Sequence, residues 1–65
     1  MPLVEITMWP GRSAEVKKKI MREVTDALSR ACGAPPEAVE IILRDVPKTD
    51  WGRGGVPYSE SHPDR

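Results

Sequence analysis

The sequence predicts a small α+β domain built as a β-α-β unit, and three observations predict it. Residues 3–8 alternate apolar and polar with period two. An apolar stripe at spacings of three and four runs from Val16 to Ala31. Residues 39–46 form a second β-rich run. Two strands joined by a helix of about five turns read as a parallel pair with a right-handed crossover.

The chain opens Met1-Pro2-Leu3-Val4-Glu5-Ile6. A small second residue lets the initiator methionine be trimmed, and the mature chain is then expected to begin at Pro2. Its nitrogen becomes a secondary amine in a rigid ring. Burial in an apolar site lowers an amine's pKa, because the charged form loses its hydration, and the group can then act as a base. In the first strand, Val4, Ile6 and Met8 share one face and Leu3, Glu5 and Thr7 the other. Trp9-Pro10-Gly11 ends it with a turn signal.

Ser13 is placed as the helix N-cap, with Glu15 in the first turn; Val16 stands where a full capping box would want Glu or Gln. Val16, Ile20, Val24, Ala27, Leu28 and Ala31 form the apolar stripe. Gly33 fits the position just past the end, and Pro35-Pro36 forbids continuation. The helix spans residues 14–32, about 28 Å at 1.5 Å per residue. Residues 36–38 read as a short turn. In the second strand Val39, Ile41 and Leu43 face one way and Glu40, Ile42 and Arg44 the other, so both faces are expected to be covered. Pro47 stops it. Gly52, Gly54 and Gly55 beyond Trp51 predict a hairpin or bulge with positive φ. From Pro57 to Arg65 the tail has little to bury and is expected to be mobile or to dock on a neighbour.

The 65 residues make one domain, 1–65, with 57–65 as a polar tail. A chain this short buries only about 60% of its unfolded surface. Cys32 is the only cysteine and His62 the only histidine, so neither an intrachain disulfide nor a Cys/His metal cage can supply the deficit. Oligomerisation is the remaining source of burial. Ten basic and ten acidic residues cancel, which gives no global pull toward nucleic acid or an acidic membrane. The Lys17-Lys18-Lys19 cluster with Arg22 reads as a solvated helix face. Cys32, near the helix end, is expected as a small core residue. One free cysteine without an export signal or membrane span favours the cytoplasm.

Most motif-based chemistry is excluded. Gly52-x-Gly54-Gly55 follows a loop and precedes no helix, so it fails the structural requirement of a dinucleotide site. No nucleophile elbow and no HExxH is present. The distinctive ionisable group is the free amine expected at Pro2. Arg12 stands in the turn after the same strand and Trp51 offers an apolar wall.

Pro2, Gly11-Arg12-Ser13 opening the helix, Ala34-Pro35 before the second strand, and Trp51-Gly52-x-Gly54-Gly55 together resemble the 4-oxalocrotonate tautomerase family over residues 2–56. The resemblance implies that family's β-α-β fold with a C-terminal hairpin, assembled as a hexamer (a trimer of dimers). It implies proton transfer on enols and α-keto acids with no cofactor and no metal. Pro2 matches the catalytic base, Arg12 the residue that grips a distal carboxylate, and Trp51 the aromatic wall; neighbouring subunits complete each site. Glu40 departs from the pattern, for it falls where the family carries a second functional arginine. A glutamate there repels a dicarboxylate substrate such as 2-hydroxymuconate. Arg44 shares the face of Glu40 but lies about 13 Å along the strand. Arg53, or a partner chain in a heteromer, is the better-placed replacement.

Three functions follow as expectations. The first is a cofactor-independent tautomerase acting on 2-hydroxymuconate or phenylenolpyruvate. The second is a hydratase or dehalogenase of unsaturated acids that uses Pro2 with Glu40. The third is a non-catalytic subunit of a heteromeric tautomerase.

Overall fold

The computed structural model describes residues 2–64. Strand β1, Leu3–Met8, is followed by helix α1, Ala14–Cys32, and strand β2, Glu40–Asp45. Strands β1 and β2 pair in parallel, in the register Leu3 to Glu40 through Met8 to Asp45. One-turn 3₁₀ segments at Pro36–Ala38 and Lys48–Asp50 flank β2. Strands β3, Gly52–Arg53, and β4, Val56–Pro57, then form an antiparallel hairpin, and helix α2, Tyr58–Ser61, follows directly.

Local chemistry explains the boundaries. The Ser13 hydroxyl accepts from the Val16 amide at 3.2 Å, and Ser13 itself is extended, so the cap forms without a capping box. At the other end Gly33 adopts φ 78°, and its amide donates to the Ser29 carbonyl at 2.9 Å. Both hairpin glycines are left-handed, Gly54 at φ 63° and Gly55 at φ 85°, which is the requirement of a two-residue turn whose twist suits antiparallel strands.

Val4, Ile6 and Met8 of β1 and Ile41 and Leu43 of β2 are half-buried, while their alternates are exposed. The half-buried face is on the side of α1: Val4 lines a shallow depression together with Val24, Ala27, Leu28 and Ala31. Lys17 ties the first turns of α1 to the end of β2 through Asp45. The second face of the sheet carries Leu3 at 51% exposure, Ile42 at 41%, and the Arg44–Glu5 ion pair at 2.9 Å. The expected covering of both faces of β2 is therefore only half supplied by this chain. Cys32 corrects its expectation too: it is exposed.

Among the described residues none is fully buried. The chain exposes 4922 Å², where a 7.2 kDa monomer would expose about 4,100 Å². Its radius of gyration is 14.9 Å, against about 11 Å for a globule of this length, and its extents are 42 × 25 × 14 Å. One helix on one thin sheet has too little thickness to enclose a core. No helix among the described residues is long and apolar enough to cross a membrane.

The tail, expected to be mobile or to dock on a neighbour, packs against its own chain. Residues 57–62 continue the hairpin into α2 and fold back on Trp9; Lys48 holds them by donating to the His62 carbonyl at 2.6 Å and to Asp64 at 2.8 Å. The rings of Tyr58 and His62, set against Trp9, make contacts that a polar composition conceals.

Candidate active site

The residues singled out in the sequence fall at two opposite ends of the β1–β2 ribbon. Pro2 and Glu40 share one end. Pro2 is half-buried, and its carbonyl accepts from the Glu40 amide at 2.9 Å. The Glu40 carboxylate is exposed and pairs with no cation among the described residues. The expected loss of Met1 lies outside the described residues.

Arg12, Trp51 and Arg53 lie at the other end, about 20 Å away along six strand residues. There the chain leaves β1 at Trp9 and turns through Gly11 (φ 123°), and Arg12 Nη1 donates back to the Trp9 carbonyl at 3.1 Å. Trp51 stands edge-on to Trp9 with centroids 6.2 Å apart, and Tyr58 does the same at 5.3 Å. His62 approaches Trp9 at 5.9 Å and Tyr58 at 5.1 Å. Lys48 Nζ sits 4.6 Å from the centre of the Trp9 ring, a cation–π distance. These spacings are those of favourable aromatic pairs, each worth about 0.5–1.5 kcal/mol beyond area burial. Trp9 Nε1 is enclosed without an acceptor among the described residues, so apolar packing fixes that ring at the expense of its polar handle.

A cavity of about 600 Å³ opens on this cluster. Met8, Trp9, Trp51, Val56 and Tyr58 give it an apolar wall, Ser61 and His62 stand at its side, and Arg53 brings the charge. Arg12 is close in sequence but does not line it. The structure thus brings Trp51 and Arg53 together and leaves Pro2 remote from both within one chain. Trp9, Tyr58 and His62 were not foreseen as site residues. The sequence holds two Trp, one Tyr, no Phe and one His, and all four rings gather here. No spacing rule could have revealed it, since Trp9 and Tyr58 lie in different elements at opposite ends of the chain.

Neither end holds a base, a cation and an apolar wall at once. One end carries Pro2 and the Glu40 carboxylate; the other carries the aromatic wall and the cations Arg12, Lys48 and Arg53. A second chain, set so that its proline end meets the aromatic end of the first, would unite the three.

A protein-family profile described as "Tautomerase enzyme" matches residues 2–60. The chain belongs to the tautomerase family and is an isomerase of the keto–enol tautomerase kind. It is 47% identical over 60 residues to 2-hydroxymuconate tautomerase of Comamonas testosteroni, covering 92% of this chain and 95% of that one. A 4-oxalocrotonate tautomerase isozyme of Methylibium petroleiphilum superposes with TM-score 0.86 at 39% identity, covering 94% of this chain and 98% of that one. A heterohexamer 4-oxalocrotonate tautomerase from Chloroflexus aurantiacus superposes with TM-score 0.85 at 38% identity, covering 92% and 97%.

Proposed function

We propose that the protein moves a proton between oxygen and carbon of an unsaturated enol acid, such as 2-hydroxymuconate or phenylenolpyruvate, with the Pro2 amine as general base and without cofactor or metal. The amine takes the proton of the 2-hydroxyl, the electrons of the O–H bond delocalise into the enolate, and the protonated amine returns the same proton to a carbon further along. Arg12 and Arg53 draw the developing negative charge toward the carboxylate, and Trp51 keeps the surroundings apolar. The observation that carries this reading is the family match, which begins at residue 2 and includes Arg12, Glu40, Trp51 and Arg53. The separation of the two ends supports a site shared between chains, in a homohexamer or, with a partner chain supplying the cation that Glu40 replaces, in a heteromer. The free thiol of Cys32 fits a reducing compartment, the cytoplasm.

The test is Pro2→Ala on protein shown by mass spectrometry to have lost Met1. General-base catalysis contributes about 10²–10⁴-fold, so kcat/KM on both enol acids should fall by about a hundredfold or more. A variant as active as the wild type removes Pro2 from the mechanism. Because only the neutral amine is a base, kcat/KM should rise with pH as the amine deprotonates and fall on the acid side, an acid limb that a pH–rate profile reads.

One observation favours a second reading. The backbone neighbour of Pro2 across the sheet is a glutamate without a cationic partner among the described residues. A carboxylate on the strand next to the proposed base could activate water, as hydration or hydrolytic dehalogenation of an unsaturated acid requires. Release of halide from 3-haloacrylates that is lost in Glu40→Gln, with enol ketonisation slow in the wild type, would favour it. If neither chemistry appears until another chain is added, the protein is the non-catalytic subunit of a heteromer.

A further inference from the structure

We propose that His62 is a further substrate-binding residue of this site: its ring donates Nε2–H to a carboxylate oxygen of the bound enol acid, and Lys48 positions it. The inference rests on the tautomerase reading above and adds a residue that the family match, ending at residue 60, does not reach.

Placement is the first ground. His62 lines the cavity together with Trp51, Arg53 and Tyr58, and it is exposed, so a ligand can reach it. Its backbone is held on both sides. The amide donates to the Tyr58 carbonyl at 2.8 Å, and the carbonyl accepts from Lys48 Nζ at 2.6 Å. Lys48 is itself fixed, by Asp64 at 2.8 Å and by the Trp9 ring at 4.6 Å, and only 17% of its side chain is exposed. The imidazole leans on two other rings, Tyr58 edge-on at 5.1 Å and Trp9 at 5.9 Å. A polar group held in this way takes a ligand with little further loss of freedom.

The ring nitrogens are the second ground. Ser61 Oγ lies 3.0 Å from Nδ1, while Nε2 has no hydrogen-bond partner among the described residues. When the hydroxyl donates to Nδ1, the neutral ring carries its proton on Nε2. The charged ring carries one there as well. Either form offers an N–H to a carboxylate oxygen in the cavity that Arg53 also lines. Proton transfer stays with Pro2; His62 holds the acid.

A second chain completes the site, so the protein to titrate is the processed, assembled one. Trans-cinnamate is an unreactive acid, and cinnamyl alcohol is its counterpart without the carboxylate. His62→Phe keeps a ring against Trp9 and Tyr58 and removes the N–H. By calorimetry it should weaken cinnamate by about tenfold, the fold-change of a hydrogen bond to a charged group, and leave cinnamyl alcohol within about twofold. Lys48→Met should weaken cinnamate in the same direction, and combining it with His62→Phe should add little, because the two residues act as a unit. In turnover, His62→Phe should raise KM for phenylenolpyruvate by about tenfold and lower kcat far less, the pattern of lost uniform binding. Cinnamate bound by His62→Phe as tightly as by the wild type, or both ligands weakened equally, overturns the inference. So does a wild type that holds cinnamate no better than cinnamyl alcohol. Additive losses in the double variant remove Lys48 from its positioning role. If His62→Phe does not assemble, the same comparison of the two ligands on His62→Ala decides. A wild type that ketonises both enol acids while His62→Phe binds cinnamate normally defeats the inference and leaves the tautomerase reading standing. A wild type without turnover whose cinnamate binding still depends on His62 does the reverse.

Discussion

Glu40 is exposed and pairs in register with Leu3, next to Pro2. Its amide is bonded to the Pro2 carbonyl, so a negative charge stands one strand away from the proposed base. Two unit charges at 4 Å interact by up to about 4 kcal/mol near a protein surface, and solvent reduces this at an exposed carboxylate. Glu40→Arg should therefore raise kcat/KM for 2-hydroxymuconate by about tenfold or more and change phenylenolpyruvate less. Parallel steady-state assays check it. Stability should move by no more than about 0.5 kcal/mol, as for other exposed substitutions. The residue type at 40 was readable in the sequence. Its adjacency to Pro2 was not, because strand register depends on which face each strand buries and on how the helix returns the chain.

The main secondary elements were nearly all legible. The first strand and the helix fall on the predicted residues, 3–8 and 14–32, because alternation, a single apolar stripe and glycine or proline punctuation all act within a turn or two. The second strand is one residue shorter at each end than predicted. The caps should behave accordingly. Ser13→Ala removes the acceptor of the Val16 amide and should cost about 1 kcal/mol. Gly33→Ala forces a side chain into φ 78° and should cost about 1 kcal/mol. Urea melts at one fixed protein concentration measure both. Gly55→Val strains the hairpin at φ 85° and should displace Arg53 and Val56 from the cavity wall. It should lower kcat/KM more than it lowers the unfolding midpoint. The short helix at Tyr58–Ser61 escaped prediction because four polar residues have no periodicity to read. What holds it is Tyr58 and His62 against Trp9.

As a whole the chain is a thin two-layer body with no enclosed interior among its described residues. Leu3 and Ile42 on the open sheet face, with Val16 and Met21 on the helix, remain exposed and apolar. Burying them against further chains is the available source of the missing stabilisation. Ile42→Glu should consequently dissociate the assembly and unfold it, seen as a smaller species by sedimentation velocity and a loss of helical circular dichroism. For the same reason the thermal midpoint of the wild type should rise with protein concentration, by mass action. A midpoint independent of concentration over a hundredfold range would mean that the monomer is stable without partners.

The sequence by itself determined the main strands and the long helix, their order and their parallel pairing, and it singled out Pro2, Arg12, Glu40, Trp51 and Arg53 as candidates. Each of these depends on side-chain type and on spacing within a few residues. Only the tertiary structure decided where they go. A strand advances about 3.3 Å per residue and does not bend back on itself, so β1 holds Pro2 and the Trp9 cluster about 20 Å apart. The crossover helix returns the chain so that Glu40 lands beside Pro2, while the hairpin and α2 close on Trp9 at the far end. These are contacts between distant parts of the chain, and they leave Pro2 and the aromatic cluster of one chain apart.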